Sequence, residues 1–216
     1  MACQYLEVYR EKIGDLLDNT QKNLPVREHP SKGIYVDGLT SQPVTSWEQV
    51  LDVLLAGDET RATASTNMNA TSSRSHSVFI VTLHQENEEG STKEGRLNLV
   101  DLAGSEKISK TGAQGETLEE AKKINQSLSA LGQVIKALSD GKAHIPYRDS
   151  KLTRLLQEAL GGNSKTSLIV MASPHLDNID ETISTLKFAE RAKTIKSDNP
   201  IKHVEEQEFE LRRGEA

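Results

Sequence analysis

The chain has 216 residues, 35% of them apolar, enough to bury the core of one compact domain and too few for two comfortable ones. Its net charge of −6 argues against a nucleic-acid partner, which needs a basic surface, and the single Cys3 excludes an internal disulfide or a cysteine zinc site. The six histidines lack the spacing of helical metal ligands, and no apolar run approaches the roughly 20 residues of a bilayer span; the expectation is a cytoplasmic protein without a membrane partner.

Tyr5-Leu6-Glu7-Val8-Tyr9 alternates with the two-residue period of a strand. Pro30, Gly33, Gly38 and Pro43 then bracket short β-like pieces such as Gly33-Ile34-Tyr35-Val36. Ser46 and Gln49 have capping-box spacing, and Trp47, Val50, Leu51 and Leu54 share a face, which predicts a helix ending at Gly57. Residues 61–77 read as a polar loop before a buried strand over 78–84. Asn87-Glu88-Glu89-Gly90 marks a turn into a second strand over 97–102, followed by a loop over 105–116.

The clearest helix starts at Thr117, with Glu120 as its capping partner. Leu118, Ala121, Ile124, Leu128, Leu131, Ile135 and Leu138 form its apolar stripe, Lys122, Asn125, Ser129 and Lys136 lie opposite, and Gly141 ends it. After Pro146, which cannot continue a helix, another is predicted from Ser150 to Gly161-Gly162, burying Leu152, Leu155, Leu156 and Ala159. Leu168 to Ala172 reads as a central strand, and Asp177 or Asn178 caps a last helix carrying Ile179, Ile183, Leu186 and Ala189. From Ser197 onward charge dominates. Residues 107–165 hold ten basic against six acidic side chains, a basic island on an acidic chain that suits an acidic partner.

Two segments carry candidate chemistry. Asp101-Leu102-Ala103-Gly104 follows an apolar strand, where a nucleoside triphosphatase places a carboxylate near Mg²⁺ and a glycine N–H near the γ-phosphate. Asn69-Ala70-Thr71-Ser72-Ser73-Arg74-Ser75-His76 supplies hydroxyls that suit Mg²⁺ or water, and Arg74 could pair with Glu106. Each alone is also an ordinary polar turn.

Taken whole, Asn69 to His76 resembles switch I, and Asp101 to Glu106 resembles switch II, of the kinesin motor-domain family. Tyr5 to Tyr9, Lys123 to Gly132 and His144 to Gln157 resemble the same family, and the resemblance leans toward its conventional heavy chains. It implies an α/β fold: part of a kinesin-type P-loop NTPase motor domain, with a central mixed sheet flanked by helices and its N-terminal strands absent. Residues 1–196 would be the partial motor domain and 197–216 a charged tail in the place of a neck linker. ATP with Mg²⁺ is the implied cofactor. Ser73 would ligate the metal, Asp101 would hold it through water, and Ser72 would position the attacking water. Asn69 joins these in the nucleotide site, Gly104 would sense the γ-phosphate, and Arg74 with Glu106 would latch the two loops. The implied partner is the microtubule, met by Lys107, Lys110, Lys122, Asn125, Arg148, Lys151 and Arg154. An ATP-driven, cytoskeletal motor activity is the implied function.

The phosphate-binding pattern G-x-x-x-x-G-K-[ST] does not occur in the 216 residues. The expectation is that this chain does not hydrolyse ATP alone, that its Leu168 strand lacks lateral partners, and that exposed strand edges make it unstable or prone to aggregate. A nucleotide-independent microtubule binder, or a truncated fragment without function, is the alternative.

Overall fold

The computed structural model describes residues 1–30, 33–68, 72–86, 92–105 and 116–196. Contact density divides the chain into two compact units, Met1–Leu156 and Gln157–Ala216.

In the first unit, β1 (Ala2–Tyr9) pairs with β2 (Lys12–Asp15) on one side and with β6 (His76–Glu86) on the other, and β6 pairs in turn with β7 (Thr92–Asp101). The two-residue β5 (Gln42–Pro43) adds to β1, while β3 (Val26–His29) and β4 (Gly33–Val36) form a separate hairpin. The sequence leads one to expect a mixed sheet; every pairing among the described residues is antiparallel.

β1 is buried on both faces, so its alternation sorts residues between two cores. Leu6 and Val8 pack with Ile13, Leu24, Val36, Val78 and Ile80. Cys3 and Tyr5 point the other way and pack with Leu16, Val44 and Phe79, against which Val50, Val53 and Leu54 of α1 (Trp47–Met68) lie. Tyr5 meets Phe79 edge to face at 5.2 Å and donates its hydroxyl to Asp58 Oδ1 at 2.6 Å. Burial, reinforced by that bond, pushes the phenol up to about 12.

The expected cap of α1 is present: Ser46 Oγ accepts from Gln49 N at 3.4 Å, and Gln49 Oε1 accepts from Thr45 N at 2.8 Å. The expected stop at Gly57 is not, and residues 61–68, read as loop, are helical. Gly57 serves packing instead, since a Cβ there would lie 2.1 Å from the Tyr5 ring. Trp47 and Leu51, expected in the buried stripe, are exposed.

Helix α2 (Glu116–Ser139) buries Ala130, Leu131, Val134, Ile135 and Ala137, and Gly141 beyond it takes a positive φ of 64°. Helix α3 (Lys151–Leu155) is shorter than its apolar pattern suggests and begins with Ser150 Oγ accepting from Leu152 N.

In the second unit, residues 168–172, expected as a central strand, form none. Ile169 and Met171 are more than four-fifths exposed, with no ladder partner among the described residues. Helix α4 (Ile179–Lys193) follows a short 3-10 turn at Leu176–Asn178, and none of its residues is buried.

Candidate functional site

The start of β6 and the end of β7 lie side by side, with Ser77 opposite Asp101 in the ladder. This register brings the two motif loops together. A 3-10 turn, Ser72–Arg74, leads into β6, and the Ser73 carbonyl accepts from Gly104 N–H at 2.8 Å. The glycine expected to sense a phosphate therefore has its N–H on the opposite loop.

Arg61 of α1 organises the base of this site, although nothing in its local sequence marks it. Its Nη1 donates to Ser77 Oγ and to Asp101 Oδ2, both at 3.1 Å. Its Nη2 donates to the Ser75 carbonyl at 3.0 Å and to Ser75 Oγ at 3.3 Å, while Glu7 Oε1 lies 3.7 Å from Nε. The guanidinium is thus bracketed by two carboxylates, which offsets the cost of placing a charge where its side chain is only 11% exposed. Asp101 keeps most of its own side chain in solvent, at 68% exposure.

His76 is the second residue whose role the motif alone does not reveal. It is buried, its Nδ1 accepts from Ala103 N–H at 2.9 Å, and its Nε2 lies 2.7 Å from Ser127 Oγ on α2. An accepting Nδ1 leaves the proton of a neutral imidazole on Nε2, which donates to Ser127. Burial, followed by the nearby Arg61 charge, lowers the imidazole to about 4, with Asp101 opposing the shift.

Of the other expected nucleotide residues, Ser73 is exposed and Arg74 half-buried, and Ser72 is placed by its backbone in the 3-10 turn. Asn69 and Glu106 lie outside the described residues, and so does the Arg74–Glu106 latch. Exposed hydroxyl and carboxylate oxygens at Ser73 and Asp101 are hard donors of the kind Mg²⁺ takes directly or through water. They fit the metal; the described loops supply no glycine-rich cradle for the phosphates.

The basic surface lies elsewhere in the first unit. Arg148, Ser150, Lys151 and Arg154 line an open cavity with Asn23, Pro25 and Val26. Glu28 on β3 pairs with Arg154 and lies 3.8 Å from Arg148, which is 81% exposed. Lys151 Nζ donates to Asn23 Oδ1 at 3.2 Å. Glu11 clamps the start of α3, accepting from Ser150 Oγ and from Lys151 N, each at 2.7 Å. Glu11 sits in a tight β1–β2 turn where both Arg10 and Glu11 have positive φ. Asn125 is half-buried on α2; Lys107, Lys110 and the Lys122 side chain lie outside the described residues.

The kinesin motor domain family model matches residues 1–195. Kinesin-related protein 5 of Dictyostelium discoideum is 60% identical over 199 residues, which cover 91% of this chain and 20% of that protein. The kinesin heavy chain of Neurospora crassa is likewise 60% identical, with 91% of this chain and 21% of the relative covered. A solved fast kinesin superposes with a TM-score of 0.86 at 56% identity, over 94% of this chain and 59% of that one. The chain therefore spans about a fifth of the length of these curated relatives.

Proposed function

The chain belongs to the kinesin motor domain family, and on that premise we propose that it carries the switch loops and the track-binding surface of an ATP-driven microtubule motor. The observation that carries this reading is the Gly104 N–H to Ser73 carbonyl bond, which joins the two loops at the ends of paired strands.

In this reading Ser73 and Asp101 would hold Mg²⁺, Asp101 through water, with Arg61 fixing the Asp101 carboxylate. The metal supplies charge neutralisation for the phosphates when bound. Asn69 and Ser72 belong to the same site, Ser72 orienting water. With nucleotide bound, the Gly104 N–H would be free to leave its Ser73 acceptor and donate to the γ-phosphate, and Arg74 with Glu106 would latch the closed loops. Such loops are two-state elements that respond to phosphate occupancy. Residues 1–196 form the motor part and 197–216 a charged tail, in a cytoplasmic, cytoskeletal setting. With no G-x-x-x-x-G-K-[ST] pattern in its sequence, the chain by itself is assigned no ATP turnover.

Lys107, Lys110, Lys122, Asn125, Arg148, Lys151 and Arg154 form the microtubule-facing set. Arg148 is the most exposed of the α3 group and makes the main electrostatic contribution there, while Arg154 also braces β3 through Glu28. Co-sedimentation with microtubules tests the reading. Binding at low salt is expected to weaken steeply as ionic strength rises, and Arg148→Ala with Lys151→Ala to weaken it about tenfold, the loss of roughly 1.4 kcal/mol. No pelleting at low salt, or equal pelleting by the double variant, defeats the proposal. A second reading, a nucleotide-independent microtubule binder, is favoured by an α3 clamp that Glu11 and Glu28 build without using a residue of either switch loop. Release from microtubules by Mg-ATP would eliminate it.

A further inference from the structure

We infer that His76 is a positioning residue that makes the loop after β7 and helix α2 move as one. The inference deepens the motor reading above and rests on it for its biological meaning, but the geometry stands by itself.

Three hydrogen bonds run in series across the site. Gly104 N–H donates to the Ser73 carbonyl at 2.8 Å, Ala103 N–H donates to His76 Nδ1 at 2.9 Å, and His76 Nε2 meets Ser127 Oγ at 2.7 Å. The first two donors are consecutive amides, and both dock on the short segment from Ser73 to His76. The third bond leaves that segment for the middle of α2, 51 residues further along the chain. A loop that withdraws Gly104 from Ser73 shifts the peptide next to Ala103. That shift either breaks the Ala103 bond or drags the imidazole, and the imidazole is tied to Ser127.

Burial removes the intermediate outcomes. His76, Ala103 and Ser127 are each no more than 5% exposed, so water does not readily take up a broken bond. A site of this kind favours discrete arrangements over gradual loosening. The side-chain type matters as well. A neutral imidazole offers an acceptor and a donor on a rigid ring, so displacement at one nitrogen is delivered to the other. A core histidine that merely satisfies its own polar atoms needs no such placement between two separate elements. Here each nitrogen serves a different one: Nδ1 the loop of residues 102–105, and Nε2 the helix that carries Lys122 and Asn125.

Site-resolved amide hydrogen exchange on the 216-residue chain tests the link, using Ser127→Ala, His76→Asn and His76→Gln. Ser127→Ala removes no bond to the Ala103 amide. If the imidazole transmits, Ala103 exchange nevertheless accelerates about tenfold, while the amides of Leu6 and Val8 in β1 keep their wild-type rates. Asparagine keeps an acceptor near the Nδ1 position and is expected to preserve Ala103 protection while loosening α2 around Ser127. Glutamine keeps a donor near Nε2 and is expected to do the reverse. Unchanged Ala103 exchange in Ser127→Ala, or equal acceleration everywhere, overturns the proposal. Should the variants fail to fold, ¹⁵N imidazole spectra of the wild type decide. A single neutral tautomer protonated at Nε2 supports the link, and the other tautomer or a mixture overturns it. Neither measurement involves nucleotide or microtubules, so failure here is distinct from failure of the motor reading.

Discussion

Phe79 and Leu99 are partners across the β6–β7 ladder, yet Phe79 is 3% exposed and Leu99 51%. The same contrast holds for Val78 and Val100, which are also paired. Phe79 has the Tyr5 ring against it and α1 over its face, because β1 continues the sheet on that side. β7 is the last strand of the ladder among the described residues, and Leu97, Leu99 and Val100 are all exposed. Strand pattern makes a residue able to be buried; the neighbouring layer decides whether it is. An apolar terminal strand is also a template for pairing with another chain.

Substitution across this divide gives the largest expected difference. Leu6→Ala, at a fully buried position on the covered side, should destabilise the chain by about 4 kcal/mol through lost transfer energy and a residual cavity. Leu99→Ala should cost less than about 0.5 kcal/mol. Urea midpoints at constant slope measure both, and similar losses would break the comparison. The exposed side should show itself in association instead. Light scattering of the wild type should rise with concentration, and Leu97→Lys with Leu99→Lys should suppress that rise.

His76 sharpens the contrast through pH. Its folded imidazole sits at about 4, against roughly 6.5 in an unfolded chain. Between these values the unfolded state binds a proton that the folded state refuses. The stability is therefore complete above pH 6.5 and is lost as pH falls toward 4, by about 3 kcal/mol in all. Unfolding midpoints measured across that window should fall for the wild type, and His76→Gln should flatten the part of the curve due to this group. An equally steep curve in the variant would assign the pH dependence to other residues.

Gly57 gives a smaller effect on the same covered face. An alanine Cβ would press into the Tyr5 ring, itself held by Phe79 and Asp58, and should cost about 2 kcal/mol by overpacking. Gly132 is the control: nothing lies within 4 Å of a Cβ there, and alanine should stabilise α2 by about 1 kcal/mol. Thermal unfolding of the two variants should move in opposite directions.

These sites also show how far the sequence could be read. The α1 cap depends on residues within a few positions of one another and was legible; of the expected α2 stripe, Leu131 and Ile135 are buried and Leu128 and Leu138 half-buried, while the side chains of Leu118, Ala121 and Ile124 lie outside the described residues. Gly57 was misread as a stop because its constraint is a ring more than fifty residues away in sequence. Residues 168–172 have the apolar run of a central strand, but hydropathy supplies no ladder partner, and none is present among the described residues. The motif loops were recognisable, and the register of Ser77 with Asp101 explains why they meet. Arg61 was invisible because its partners lie far away in sequence on both sides, Glu7 upstream and Asp101 40 residues further on, and its helical neighbours look like loop. His76 stood within a recognised motif, but a search for metal-ligand spacing passes over a histidine whose two nitrogens serve backbone and serine.

The smallest expected effect lies on the solvent side of the β3–β4 region. Arg27 Nε meets Asp37 Oδ2 at 2.6 Å, a short distance for an ion pair. The two side chains are 59% and 47% exposed, however, so water competes for both charges and salt screens them. A double-mutant cycle with Arg27→Ala and Asp37→Ala should return a coupling of about 0.5 kcal/mol, shrinking further in 0.5 M salt. The Arg61–Asp101 pair is longer at 3.1 Å, but its guanidinium is mostly buried and holds Ser75 and Ser77 as well. Its cycle should give the larger coupling and resist salt. If the shorter, exposed pair proved the stronger, distance rather than coverage would govern these interactions, and the contrast between Phe79 and Leu99 would lose its general meaning.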